Sequence, residues 1–350
     1  MKQIFQYNPS DRPWHLPVTA GLCVSIPFVL GIWMNDMTAG KLGALGALVI
    51  LYSQSNALIN RMVILMLCGF GFILSFSIGV VFSFAGWWKP LLLGIYAYGV
   101  HHVVHRLGLH RPPGSFFFIM SAAIAISMPT YVSDIPLKIG YFTMGVMIAC
   151  TIGFFYSLLV LKSLRNKKDT PIKNKHKLVN HTESLLFGMM MGISLLLAML
   201  LRVDYPYWVM ISCLAIMQGL NTQHVGTRAI QRVLGTVLGL LLCWGLLQMQ
   251  LSLWSICLAV FVLQTLVEHF IVRNYLWTVM FISALTIFLA EPTAHLTSDP
   301  QQLMQVRLLD NLLGIFVGCI GGWLLYHERV HYYTRLQAIK TLKMIRKTSE

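Results

Sequence analysis

Charge is what this sequence has least of. Only 11% of its 350 residues are Asp, Glu, Lys or Arg, against about 25% in soluble domains. Acidic residues are scarcer still, twelve against 26 basic ones. With 57% hydrophobic residues, that balance excludes a water-soluble globular domain and points to a membrane protein. The chain also lacks a CxxC pair or any metal-ligand spacing among its seven cysteines, all of which fall inside apolar stretches. No disulfide framework and no metal site is expected from them. A P-loop, an HExxH helix and a GxSxG elbow are absent too, so neither enzymatic chemistry nor a cofactor is expected. Basic patches interleaved with aromatics are missing, and nucleic acid is not an expected partner.

What is present is a succession of apolar runs from His15 to Leu325, in lengths that fit spanning helices. The first, Trp14 to Met34, is too long for a signal-peptide core and no small-residue cleavage site follows it, so it reads as an uncleaved span. Spans are expected at 15–34, 38–53, 61–84, 88–105, 115–130 and 136–162, then at 184–202, 206–222, 227–248, 251–272, 275–290 and 304–326. The segments 38–53, 206–222 and 275–290 are short, as broken or tilted helices would be. The fold class is therefore all-α and polytopic, with about 12 spans in two six-helix sets.

The basic residues cluster in "LKSLRNKKDTPIKNKHK" (161–177) and "RVHYYTRLQAIKTLKMIRK" (329–347). On a twelve-span topology with the N-terminus inside, 21 of the 26 Lys and Arg fall on the inner side. Both ends are then cytoplasmic. Four units follow: an N-terminal membrane repeat (1–162), a basic linker (163–183), a C-terminal membrane repeat (184–326) and a basic tail (327–350). The tail spaces Val330, Tyr333, Leu336, Ile339 and Leu342 along one side, as a helix docking on membrane lipid or on a partner would. Residues 16–62 can be laid over 184–233: each gives a helix, an acidic connection (Asp36, Asp204), a second helix ending in polar residues, then arginine. Two repeats with an even number of spans lie the same way up in the bilayer.

The stretch "TRAIQRVLGTVLG" (227–239) places Arg228 and Arg232 four apart at the expected mouth of an apolar helix, hence on one face. Gly235 and Gly239 behind them form an edge that admits a neighbouring helix. Fixed guanidiniums beside the polar elbow "QGLNTQH" (218–224) would make a vestibule for an anion, since guanidinium binds carboxylate bidentately and keeps its charge. The blander alternative is two edge arginines reaching lipid phosphate. Arg307 and Asp310 are three apart, a spacing for a local structural ion pair. Glu268 beside His269 is either a proton-titrating pair or half of a structural pair with Arg273. His101 and His105 share a helical face but have no acidic or cysteine companion, so they read as interfacial histidines rather than as metal ligands. Trp87, Trp88, Tyr205, Tyr207, Tyr275 and Trp277 mostly fit aromatic belts.

With "RAIQRVLGTVLG", "RLLDNLLGIFVG" (307–318) and "HRPPGSFFFI" (110–119), the chain resembles the fusaric-acid-resistance-type membrane proteins. These include bacterial aromatic carboxylic acid exporters, and the plant aluminium-activated malate channels are similar. The resemblance implies a bacterial inner membrane, export of small organic anions, aromatic or other carboxylic acids, by proton or potential coupling, and a homodimer. Many members add a large cytoplasmic domain to each membrane half, which this chain lacks. On the residues here, Arg228, Arg232 and Arg61 would bind the carboxylate. Gln218, Asn221, Gln223, Gln54 and Asn56 would add neutral hydrogen bonds, and Glu268 with His269 would couple a proton. Two alternatives stay open: a passive anion channel, and a non-transporting scaffold serving a periplasmic adaptor protein or an envelope complex.

Overall fold

A computed structural model describes residues 5–10, 12–53, 58–107, 113–160, 177–219, 221–249, 251–290 and 300–326. The linker, the tail, Gln54, Asn56 and residues 110–112 of the "HRPPG" stretch lie outside those residues. Among the described residues the structure is helical throughout, with twelve α-helices and three short 3₁₀ turns. In the first half these are α1 (His15–Trp33), α2 (Met37–Ala47, continued as 3₁₀ to Tyr52), α3 (Leu58–Phe82), α4 (Lys89–Arg106), α5 (Phe116–Ser127) and α6 (Ile135–Leu159). In the second they are α7 (Lys177–Leu200), α8 (Pro206–Met217), α9 (Thr222–Gln248), α10 (Leu253–Phe270), α11 (Tyr275–Ala290) and α12 (Pro300–Tyr326).

Seven of these helices are long and apolar enough to cross a bilayer: α1, α3, α6, α7, α9, α10 and α12. The second and fifth helices of each half, α2, α5, α8 and α11, are shorter and apolar. Their position explains their length and composition. Every residue of α8 from Tyr207 to Met217 and of α5 from Phe118 to Ile126 is buried. A helix that is apolar all round is one with no outward face. The long helices instead expose large apolar side chains, such as Val63, Phe70, Leu241, Trp244, Leu258 and Phe316, as a lipid-facing surface does.

The two halves are wired alike. In the first, α2 packs on α1 and α6, and α3 packs on α5 and α6; in the second, α8 packs on α7 and α12, and α9 on α11 and α12. The first connection also recurs. Asn35 and Arg202 hold φ of 53° and 51°, and the next amide donates five residues back, Asp36 to the Gly31 carbonyl and Val203 to the Ala198 carbonyl, both at 2.9 Å. That is a Schellman helix stop built on a left-handed residue, here an Asn in one half and an Arg in the other. Asp36 then caps α2, accepting from the amides of Thr38 (2.9 Å) and Ala39 (3.2 Å) and from the Tyr141 hydroxyl (2.7 Å). Asp204 has no such capping role, since α8 starts without a side-chain cap.

Two main seams join the halves, α4 against α7 and α1 against α10, beside smaller contacts of α5 with α8 and of α2 with α11. Small residues allow both. A Cβ on Gly94 would stand 3.0 Å from the Gly188 carbonyl oxygen, one on Gly192 2.9 Å from that of Pro90, and one on Gly21 2.9 Å from that of Phe261. Without a hydrophobic drive between helices in lipid, such close backbone approach is the main source of association.

Candidate functional site

The helix that carries the arginine motif begins earlier than its apolar pattern indicates. Asn221 sits in extended backbone and its side chain accepts from the His224 amide at 2.8 Å, which starts α9 at Thr222 rather than at 227. Asn is among the strongest N-caps, and it draws the helix back over residues too polar to show in the hydrophobic period. Arg228 and Arg232 therefore stand inside the helix, with Arg232 about 15 Å along its axis from the first residue. Gly235 and Gly239 press the same helix onto α11. A Cβ on Gly235 would lie 2.7 Å from the Leu276 carbonyl oxygen, and one on Gly239 would overlap that of Met280.

That approach brings Tyr275, the first residue of α11, onto both arginines. The Arg228 guanidinium lies 4.4 Å from the centre of its ring, and Arg232 donates to its hydroxyl at 3.4 Å. Arg228 also donates to the Gln218 carbonyl at 2.9 Å. Arg232, only 6% exposed, donates to Ser212 Oγ at 3.2 Å. Ser212 in turn donates to Asn311, whose amide donates to the Arg307 carbonyl at 2.8 Å. Arg307, 1% exposed, spreads over the face of Trp208 at 3.6 Å and donates to the Ser283 carbonyl and the Thr286 hydroxyl at 3.2 and 3.3 Å. A ladder of polar groups thus runs through the apolar core of the second half, from the Arg232 guanidinium to the main chain of Arg307. Among the described residues no carboxylate pairs with Arg228 or Arg232. The Nε of each lacks a hydrogen-bond partner.

The core of the first half is aromatic. Phe76 stacks on Phe142 with centres 4.3 Å apart, and Phe72, Phe118 and Tyr52 complete a dry aromatic cluster. Its arginine lies at the end of the bundle. Arg61, 5% exposed, donates to Ser157 Oγ at 3.2 Å and faces the Tyr156 ring at 5.9 Å.

Several residues singled out in the sequence take other roles. The polar elbow does not converge on the arginines through its side chains. Gln218 contributes its carbonyl, the Asn221 side chain is the helix cap, and Gln223 is exposed with its carbonyl taken by the Thr227 hydroxyl. Glu268 is 4% exposed, but its partner is Arg12, 2.8 Å away, rather than Arg273, which donates to the His269 carbonyl. The His269 ring meets Phe270 edge-on, while the Glu268 carboxylate is paired with Arg12. Arg307 and Asp310 are both buried on α12. His101 is buried in the α4–α7 seam, with Nδ1 2.9 Å from Ser184 Oγ and its ring between His105 and Phe187. Tyr275 belongs to the arginine site rather than to an aromatic belt. Among the described residues no group of three or more His, Cys, Asp or Glu side chains could hold a metal.

The sequence reading missed Ser212, Asn311, Tyr275 and Arg12. Asn311 had a visible signal, a carboxamide within the apolar "LLDNLLGIFVG"; the other three carry none until helices distant in sequence are packed together.

An all-helical chain with lipid-facing long helices and arginines inside its core is a multi-pass membrane protein. The family model of the fusaric acid resistance protein-like proteins matches residues 193–321, the segment that contains α8 to α11 and most of α12. Over 145 residues the chain is also 31% identical to the membrane protein YvaC of Bacillus subtilis (strain 168). That similarity covers 41% of this chain and 23% of the relative, so the match spans about a quarter of the relative's length. No solved structure is significantly similar.

Proposed function

We propose that the protein is an inner-membrane transporter that exports small organic anions, carboxylic acids with aromatic acids among them, using the proton gradient or the membrane potential. One observation carries the reading: Arg232 is buried and, among the described residues, is held by the neutral hydroxyls of Tyr275 and Ser212. A cation at membrane depth costs a few kcal/mol on insertion scales, and removing one partner of a buried pair leaves the other uncompensated. A carboxylate arriving at Arg232 supplies the missing charge, and Arg228 beside it on the Tyr275 ring makes a second contact. The family match supports a transport role, because it covers this segment. Arg61 offers an anion contact in the first half, and Gln54 and Asn56 adjoin it in sequence. Glu268 is the group that would titrate, with Arg12 as its counter-charge and His269 next in the chain. Asp310 would balance Arg307 locally. Arg12 precedes α1, Arg273 follows α10, and Arg61 and Arg228 sit near the starts of α3 and α9; a cytoplasmic face at those ends would put both termini inside.

A passive anion channel is the second reading, and the polar ladder favours it, since fixed guanidiniums at successive depths need no titrating group. The deciding experiment is efflux of benzoate and of short aliphatic carboxylates from proteoliposomes, with and without a pH gradient, for wild type and Arg232→Gln. Gradient-dependent efflux lost in the variant supports the coupled exporter. Gradient-independent flux lost in the variant supports the channel. Folded protein that moves nothing, with an indistinguishable variant, refutes both and leaves a scaffold, for which a homodimer or a periplasmic adaptor would then be sought.

A further inference from the structure

The segment before α1 crosses the α1–α10 seam and ties the halves together. The Asn8 amide donates to the Arg273 carbonyl at 3.0 Å, and the Asn274 side chain donates to the Gln6 carbonyl at 3.0 Å. Four residues further on, Arg12 reaches Glu268 with both terminal nitrogens, Nη2 to the carboxylate at 2.8 Å and Nη1 to the backbone carbonyl at 3.3 Å. Arg12 also lines a cavity on the other side of the seam, with Leu16, Thr19, Ile50, Ser53 and Tyr156. The cavity measures about 20 Å³, room for about one water and none for an organic acid. Its wall is polar where it meets Tyr156. That hydroxyl lies 2.7 Å from His15 Nδ1, and its ring faces Arg61. Ser53 Oγ is buried without a hydrogen-bond partner.

We propose that Arg12, Arg61 and Tyr156 form an anion site at this seam for the carboxylate of a small organic acid, and that Glu268 closes it by holding Arg12. Two carboxylates compete for one guanidinium. While Glu268 is ionised, Arg12 is engaged and the cavity stays shut. When Glu268 takes a proton it becomes a neutral acid, Arg12 turns to the cavity, and the substrate carboxylate replaces Glu268 as its partner. One proton and one anion are then bound together, which gives coupling by stoichiometry. The elements around Glu268 carry these titratable and charged groups: Tyr7 and Arg12 on the strap, His15 on α1, His269 on α10, Arg273 in the following turn, Tyr275 on α11 and Tyr156 on α6. Of these, Arg12 is the one joined to the carboxylate. The identity of the ligand rests on the transport reading above; the closing pair does not.

The test reads the gate and the site separately, on full-length protein in proteoliposomes. Thr19→Cys places a thiol in the cavity wall, and its reaction with a charged methanethiosulfonate is followed against the same protein without that substitution. The reagent attacks the thiolate, so rates are corrected for the thiolate fraction at each pH; on that scale labelling should be slow at neutral pH and severalfold faster at mildly acidic pH. Adding Glu268→Gln should bring the neutral rate up to the acidic one, while Glu268→Asp, which keeps a titrating carboxylate, should restore the pH dependence. Benzoate should slow labelling of the Glu268→Gln protein, and this protection should vanish when Arg12→Gln is added. Labelling indifferent to pH and to Glu268→Gln overturns the gate, and benzoate protection that survives Arg12→Gln overturns the site. If gating and protection appear but wild type carries no benzoate flux, the transport reading fails and this site stands.

Discussion

Arg232 draws its interest from what surrounds it: two neutral hydroxyls and an unpartnered Nε, inside apolar packing. Removing its charge while keeping hydrogen-bonding capacity, in Arg232→Gln, should lower carboxylate flux about tenfold to a hundredfold, since a hydrogen bond to a charged group contributes roughly 1.5–3 kcal/mol. Arg232→Lys should recover only part of it, because a point charge loses the bidentate fork; efflux rates from proteoliposomes check both. Asp36 gives a pH-dependent expectation. Burial works to raise its carboxyl, but hydrogen bonds from Tyr141 and from the amides of Ala39 and Thr38 outweigh that and hold it below the ordinary carboxylate value. A depressed pKa contributes stability above the unfolded-state pKa, near 3.9 for Asp, and loses it as pH falls through the folded value. Wild type should thus be more thermally stable than Asp36→Asn at neutral pH, with the gap closing on acidification; melting curves in detergent across that range decide it.

At the scale of the element, α9 holds two glycines with opposite prospects. A methyl group at Gly239 would overlap the Met280 carbonyl, whereas nothing lies within 4 Å of one at Gly245. Gly239→Ala should therefore push α9 from α11, cost about 1–3 kcal/mol as overpacking does, and depress transport, because the same contact seats Tyr275 on the arginines. Gly245→Ala should be neutral or raise the melting temperature, since Ala is favoured over Gly by about 1 kcal/mol in a helix interior. Asn221 at the start of α9 adds a third case: Asn221→Ala should cost about 1 kcal/mol by loss of the cap. The boundaries of α9 show why the pattern alone misplaced it. Its first turn is polar and carries no apolar period, so only the cap marks where it begins.

For the whole molecule, the like wiring of the halves and the close glycine contacts between them can be tested by dividing the chain. Two fragments divided within the basic linker, co-expressed, should co-purify and retain transport; Gly188→Leu, at the α4–α7 seam where a Cβ would stand 2.5 Å from the Gly94 carbonyl oxygen, should abolish the co-purification. Symmetric wiring does not make the halves equivalent. The second carries the ladder from Arg232 to the main chain of Arg307, and the first carries the Phe72–Phe76–Phe142 stack. A polar path inside one repeat and a dry plug inside the other would confine substrate to the second half and to the seams.

The sequence by itself determined the helical class, the pairing of six elements with six and the presence of arginines that the motif could not neutralise. These follow from composition and from local period, which need no knowledge of neighbours. Which helices have no outward face, and which side chains meet the arginines, was decided only by tertiary structure. Tyr275 lies 43 residues from Arg232 in the chain, and Arg12 lies 256 from Glu268. Contacts over such separations arise from close helix approach at glycine, and no periodicity encodes which helix arrives.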